Sequence, residues 1–148
     1  MRILIADDSE LVRRGVVGIL SSEAGWEVCG EAKDGTEAIQ KAGELIPDVI
    51  LLDISMPGLN GLEVARLLRD AVPGAKILLM SQYDPVQVLP RALDAGAKGC
   101  IDKGRLRADL LPAIKRATAN GEVSLIAKPG EGKGQPSSRD YIGPCQAE

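Results

Sequence analysis

The sequence predicts an α/β fold in which five parallel strands form one doubly wound sheet with five helices on its faces. Two observations lead to this prediction. Short apolar runs, of the kind found in strands buried on both faces, recur along the chain. Between them lie longer segments in which apolar residues recur every three or four positions, as they do along one face of a helix. At 148 residues the chain is long enough for one such domain with a substantial core.

The predicted strands differ in apolar character. The first covers residues 3–6 and the third residues 49–52, and both are uninterrupted apolar runs. Residues 26–32 are the second strand and residues 77–80 the fourth. Residues 99–101 make a short and weak fifth strand.

The first three helices have clear boundary signals. The first follows Ser9, a candidate N-cap, and is expected to end at Gly25. The second opens at Gly35 and cannot continue through Pro47. The third follows a loop of turn residues and ends before Pro73.

The fourth helix contains a defect. Pro85 suits its first position, but Pro90 falls inside it, where the missing N–H should kink or shorten the helix. The fifth helix has an apolar stripe within residues 106–117 and is expected to end at Gly121.

The composition divides the chain into a domain and a tail. We expect residues 1–121 to form the domain, and residues 122–148 to be a linker-like tail with no effector domain, because they contain no amphipathic helical pair.

The net charge of -3 and the 2% aromatic content do not favour nucleic-acid binding, so we expect no specific DNA binding by this chain. No apolar run approaches the roughly 20 residues of a membrane span, and no signal peptide is visible, so we expect a cytoplasmic protein without a membrane partner.

Several kinds of chemistry are excluded by residue type. The chain has no histidine, which rules out a Ser-His-Asp triad within it and any imidazole metal site. Its three cysteines, Cys29, Cys100 and Cys145, form no C-x-x-C pair, and we interpret the first two as reduced, apolar strand residues. Any chemistry must therefore use carboxylates, lysine, serine or the backbone.

Polar residues follow four of the predicted strands. Asp7 and Asp8 follow the first strand, Asp53 the third, Ser81 the fourth and Lys103 the fifth. In a flavodoxin-like sheet of order 2-1-3-4-5, the first and third strands are neighbours at the switch point where ligands bind. The three carboxylates should then converge in one cleft.

Three neighbouring carboxylates repel one another unless a cation joins them. A hard, oxygen-ligated ion suits such a site, and Mg2+ is the natural choice beside a phosphorylated partner. Lys103 adds a fixed positive charge, and the hydroxyl of Ser81 can donate to a phosphoryl oxygen. Asp53 is then a candidate carboxylate nucleophile in phosphoryl transfer.

Residues 3–8, 51–58 and 98–103 strongly resemble the motifs of response-regulator receiver domains of two-component systems, and the likeness covers residues 2 to about 121. Residues 92–99 look like the LuxR/NarL-type subfamily in particular. The resemblance implies that Asp53 accepts a phosphoryl group from a histidine kinase or a phosphotransfer protein. It also implies the remaining site residues: Asp7, Asp8, Asp53 and the Ser55 carbonyl for Mg2+, with Ser81 and Lys103 on the phosphoryl group.

The sequence departs from the family pattern at the switch position. The family pairs the Ser or Thr hydroxyl, here Ser81, with a Tyr or Phe on the fifth strand, and that position is Cys100. Either the packing change around Cys100 is smaller, or the output is rerouted through the fourth helix. Tyr83 either shields the phosphoryl group from water or is an exposed loop residue. A homodimer through the fourth helix, fifth strand and fifth helix is a further expectation.

The leading interpretation is a phosphorylation-dependent signalling switch, with self-phosphorylation and slow autodephosphorylation as its only chemistry and no enzyme activity beyond them. One alternative is the receiver fragment of a longer LuxR-type DNA-binding regulator. A Mg2+-dependent aspartyl phosphatase is less favoured, because Asp7-Asp8-Ser9 lacks the D-x-D spacing of the haloacid-dehalogenase type. A receiver-like protein that binds partners without phosphorylation is disfavoured, because every pocket residue is present.

Overall fold

The computed structural model describes residues 1–119, and these contain the five predicted strands and five predicted α-helices. The predicted tail and the end of the last helix at Gly121 lie outside the described residues. The strands are β1 (Arg2–Ala6), β2 (Glu27–Ala32), β3 (Val49–Asp53), β4 (Lys76–Ser81) and β5 (Gly99–Asp102). The helices are α1 (Glu10–Leu20), α2 (Gly35–Leu45), α3 (Gly61–Ala71), α4 (Pro85–Asp94) and α5 (Leu106–Ala119), with a 3-10 turn at Lys103–Arg105 before α5.

The strands form one parallel sheet in the order β2-β1-β3-β4-β5, which confirms the flavodoxin-like, doubly wound fold. Strand order reverses between β1 and β3, so their carboxyl ends make the switch point. The ladder between β1 and β2 shifts register after Ile3, and Cys29 is the extra residue of the resulting irregularity. Such a shift is characteristic of an edge strand, and β2 is one.

The sheet separates two layers of core. Side chains of alternating strand residues point to opposite faces: Leu4 and Ile50 pack with α2, α3 and α4, whereas Ile3 and Leu51 pack with α1 and α5. All five residues of β3 are buried, as expected for a central strand covered on both faces. Among residues 1–119, no helix is long and apolar enough to cross a membrane.

Side chains cap most of the helices. Ser9 accepts a hydrogen bond from the backbone N–H of Val12, which confirms it as the N-cap of α1. The predicted end of α1 at Gly25 is wrong, because the helix stops at Leu20. The hydroxyls of Ser21 and Ser22 donate to the carbonyls of Gly18 and Ile19, and so satisfy acceptors that a longer helix would otherwise use.

Prolines lie inside two helices. α4 continues from Pro90 to Asp94, although it is the shortest of the five described α-helices at 10 residues. Pro112 also lies inside a helix, within the apolar stripe that predicted α5. Both prolines are exposed to solvent, so water can satisfy the carbonyls that lack their usual N–H partner.

An acidic cleft at the carboxyl end of the sheet

Three carboxylates converge where β1 and β3 end. Asp53 is the last residue of β3, and Asp7 and Asp8 follow the last residue of β1. One oxygen atom from each of the three side chains lies within 4.8 Å of the other two. Asp7 and Asp53 are buried, whereas Asp8 is exposed, so the cluster is open to solvent on one side. The predicted convergence is therefore present in the structure.

The charges around Asp7 favour a cation. Its Oδ1 accepts a hydrogen bond of 2.9 Å from the backbone N–H of Ser9. Its Oδ2 is fully buried and lies close to the ammonium group of Lys103. Two buried carboxylates beside one ammonium group leave an excess of negative charge, which a hard cation bound by several oxygen atoms would balance. The donor set of three carboxylates fits Mg2+ chemically.

Lys103 supplies the positive charge of the cleft. Its Nζ lies 2.9 Å from Asp7 Oδ2 and 3.4 Å from Asp53 Oδ2. Burial by itself would lower the pKa of Lys103, but the hydrogen bond and charge of Asp7, together with the charge of Asp53, outweigh burial and raise that pKa. Lys103 is therefore firmly protonated, and it partly balances the two buried carboxylates.

Asp53 holds its proton more tightly than an ordinary aspartate. Burial is the main cause of its raised pKa, and the charge of Asp7 adds to it. The hydrogen bond of 3.1 Å from the Ser55 N–H to Asp53 Oδ1 and the nearby Lys103 act in the opposite direction without cancelling the rise. The same hydrogen bond places the backbone of Ser55, whose side chain is exposed, against Asp53.

Ser81 and Cys100 lie on the neighbouring strands. Ser81 ends β4 and is fully buried, and its Oγ accepts a hydrogen bond of 2.9 Å from the Tyr83 N–H. Cys100 on β5 pairs with Leu79, two residues before Ser81, so both side chains face the α4 side of the sheet. Burial, followed by the charges of Asp102 and Asp84, raises the pKa of Cys100 to about 12. Tyr83 is exposed.

One contact of the cleft was missed by the sequence reasoning. Arg13 of α1 donates to the backbone carbonyl of Asp7 at 2.6 Å and forms an ion pair with Glu31 of β2. Because α1 carries two adjacent arginines, Arg13 and Arg14, the sequence provides no signal that distinguishes the one that reaches the cleft from the one that faces solvent.

Residues 3–115 match the sequence family described as "Response regulator receiver domain". The chain belongs to this family. As a receiver it is a signalling domain of two-component systems, and the recognition made from its strand-end motifs is confirmed.

Similar proteins support the assignment. Response regulator GacA of Pseudomonas viridiflava is 39% identical over 115 residues, which are 78% of this chain and 54% of GacA, so the chain spans about half the length of that relative. The crystal structure of a LuxR-family two-component response regulator from Aurantimonas sp. SI85-9A1 is 30% identical, with a TM-score of 0.79 over 87% of this chain and 90% of that one. The likeness to LuxR-type regulators is thereby confirmed.

A third similar structure is the CheX-CheY-BeF3-Mg+2 complex from Borrelia burgdorferi. It is 28% identical, with a TM-score of 0.76 over 81% of this chain and 90% of that one.

Proposed function

We propose that this receiver accepts a phosphoryl group on Asp53 from a histidine kinase or a phosphotransfer protein, and that it does so with Mg2+ bound in the acidic cleft. The observation that carries the proposal is the convergence of Asp7, Asp8 and Asp53 within 4.8 Å of one another, beside the ammonium group of Lys103. We further propose that the receiver comprises residues 1–121 and lies in the cytoplasm.

The ligands proposed for Mg2+ are the carboxylates of Asp7, Asp8 and Asp53 and the backbone carbonyl of Ser55. Bound Mg2+ would neutralise phosphoryl oxygens during in-line transfer. The excess negative charge of the buried Asp7 and Asp53 beside a single ammonium group supports this assignment, as does the complex of a similar protein that contains both Mg2+ and beryllofluoride.

In the proposed reaction a carboxylate oxygen of Asp53 attacks the phosphorus of the donor. A new bond forms between that oxygen and phosphorus, the bond from phosphorus to the donor breaks, and the donor leaves with its electron pair. In the ion-free cleft, burial and the charge of Asp7 raise the pKa of Asp53, so its carboxylate is more basic there than an exposed one. Lys103, already next to Asp53, can pair with a phosphoryl oxygen as negative charge builds up there.

Ser81 is the proposed hydroxyl donor to the phosphoryl group and the first residue of the switch. Its Oγ accepts a hydrogen bond from the Tyr83 N–H, so a movement of Ser81 would displace the segment that leads to α4. We propose that Cys100 packs against this movement as a small apolar residue, and that Tyr83 shields the phosphoryl group from water. The output would be association with a second copy through α4, β5 and α5 or, in a longer regulator, control of an attached domain.

A direct test is to incubate the protein with Mg2+ and acetyl phosphate and to look for a phosphoryl adduct by intact-mass spectrometry. The wild type should form the adduct and Asp53→Asn should not. Asp70→Asn, which removes an exposed carboxylate on α3, is the matched control and should be phosphorylated normally. An adduct on Asp53→Asn, or none on the wild type, would contradict the proposed function.

A further inference from the structure

The backbone carbonyl of Asp7 marks the point where the chain leaves the sheet. The N–H of Asp7 still belongs to the ladder, because it donates to the carbonyl of Ala32 on β2 at 3.0 Å. The carbonyl oxygen of Asp7 instead accepts from Nη1 of Arg13 at 2.6 Å. At this residue a side chain of α1, rather than a neighbouring strand, donates the hydrogen bond to the backbone carbonyl.

Arg13 is held at its other side as well. Its Nε donates to Glu31 Oε1 at 2.8 Å, and its side chain is only 15% exposed. Glu31 lies on β2, opposite Ile5 of β1. Because the guanidinium group is planar and rigid, its two contacts fix one another's geometry, which a flexible lysine ammonium cannot do.

Fixing this carbonyl determines the direction of the next residue. The peptide unit between Asp7 and Asp8 is planar, so holding its oxygen atom sets the orientation of the whole unit and of the bonds that lead to the Asp8 side chain. Asp8 is exposed, and its carboxylate has no hydrogen-bond or ion-pair partner among the described residues. The position of that carboxylate therefore depends on the backbone.

We propose that Arg13 is a positioning residue of the cleft, which holds the Asp7–Asp8 peptide so that both carboxylates face Asp53. This inference rests on the proposed function, because it takes Mg2+ as the ion that the carboxylates bind. The contacts of Arg13 are with the backbone carbonyl of Asp7 and with Glu31 of the edge strand, so its proposed effect on the carboxylates passes through these two groups.

The test compares Arg13→Lys with Arg14→Lys. Each variant keeps its positive charge, so electrostatic attraction of Mg2+ is unchanged, and only the guanidinium fork is lost. Arg14 is the matched control, because it follows Arg13 on the same helix, is 74% exposed and pairs with Glu10 one turn away. Mg2+ affinity is measured by calorimetric titration without a phosphodonor. We expect Arg13→Lys to weaken it about three- to tenfold, less than the full effect of losing one charge-assisted hydrogen bond because Arg13 acts on the ion only through the backbone. Arg14→Lys should leave the Mg2+ affinity unchanged.

Two further measurements separate positioning from a merely structural role. At saturating Mg2+, Arg13→Lys should be phosphorylated by acetyl phosphate at nearly the wild-type rate, because only the Mg2+ concentration needed is shifted. In Mg2+-free protein, the backbone amide resonances of Asp8 and Ser9 should shift in Arg13→Lys and not in Arg14→Lys.

Unshifted Asp8 and Ser9 amides in Arg13→Lys would overturn the positioning role. Equal Mg2+ affinity in the two variants would also overturn it, even if Arg13→Lys unfolded at a lower urea concentration. Failure of the wild type to bind Mg2+ would instead overturn the proposed function, and the amide measurement would still decide the role of Arg13.

Discussion

At the scale of single residues, the raised pKa of Asp53 links the cleft to folding stability. The folded protein holds this proton more tightly than the unfolded chain. Ionising Asp53 therefore lowers the free energy of unfolding. This lowering is absent below the pKa that Asp53 has in the unfolded chain, and it is complete above the raised pKa that Asp53 has in the folded protein.

This sign predicts the behaviour of Asp53→Asn in Mg2+-free solution. The variant should resist urea better than the wild type at neutral pH, because it removes a buried charge next to Asp7. The advantage should shrink as the pH falls through the raised pKa of Asp53 towards the ordinary range of aspartate. Urea unfolding at several pH values measures it. Asp70→Asn serves as the exposed control, and a wild type more stable than Asp53→Asn at neutral pH would refute the prediction.

The residue types of the cleft were predictable, whereas some of its contacts were not. Asp7, Asp53 and Lys103 could be placed together because parallel strands bring their carboxyl ends to one edge of the sheet. The ion pair between Arg13 and Glu31 depends on the distance between α1 and an edge strand, which no local pattern encodes. Ile46 was equally hidden: its φ of 46° ends α2 in a left-handed conformation that branched residues rarely adopt.

At the scale of elements, α3 begins unusually close to the segment that follows β3. A Cβ atom on Gly61 would lie 2.5 Å from the Cα of Ile54 and 2.6 Å from the carbonyl oxygen of Asp53. Both are backbone atoms, so neither can rotate away as the end of a side chain can. The absence of a side chain at Gly61 lets α3 pack against the loop that carries the proposed phosphoacceptor.

Gly61→Ala should therefore lower the free energy of unfolding by about 1–3 kcal/mol, as overpacking usually does, and should slow phosphorylation of Asp53. Gly43→Ala is the matched control, since Gly43 is exposed inside α2 and its added Cβ meets no atom within 4 Å. That control should gain about 0.5–1 kcal/mol from higher helix propensity. Urea unfolding and adduct formation are the measurements, and equal effects at the two glycines would contradict this account.

The elements themselves were largely predictable because each strand is apolar on both faces or bounded by turn residues. The exceptions have local causes. α1 ends early because the hydroxyls of Ser21 and Ser22 satisfy its last carbonyls. α5 contains Pro112 at an exposed position, where water can satisfy the carbonyl that loses its N–H partner. Periodicity alone does not show how a helix tolerates a proline.

At the scale of the whole molecule, the proposed association of two copies predicts a change in size on activation. Val86, the second residue of α4, is 48% exposed, and α4 is part of the surface proposed for this contact. Beryllofluoride with Mg2+ should increase the sedimentation coefficient of the wild type, and Val86→Asp should prevent the increase while beryllofluoride still binds. The new carboxylate is compatible with the first turn of a helix, so α4 should stay folded.

Leu11→Asp is the control for this prediction. Leu11 is also the second residue of its helix, α1, and is 78% exposed, but it lies on the opposite side of the sheet from α4. Its variant should associate like the wild type at saturating Mg2+. Loss of association in Leu11→Asp alone would move the contact to α1, and no association in the wild type would remove the proposed homodimer.

The buried thiol of Cys100 has a consequence for reactivity. The thiolate is the form that attacks electrophilic reagents, and with a pKa of about 12 almost none of it exists in the folded protein at neutral pH. Because Cys100 is fully buried, a reagent reaches it when β5 and α4 separate transiently. Its labelling rate therefore measures how often that opening occurs. A change in the labelling rate of Cys100 on phosphorylation would show whether β5 and α4 open more or less often in the phosphorylated state.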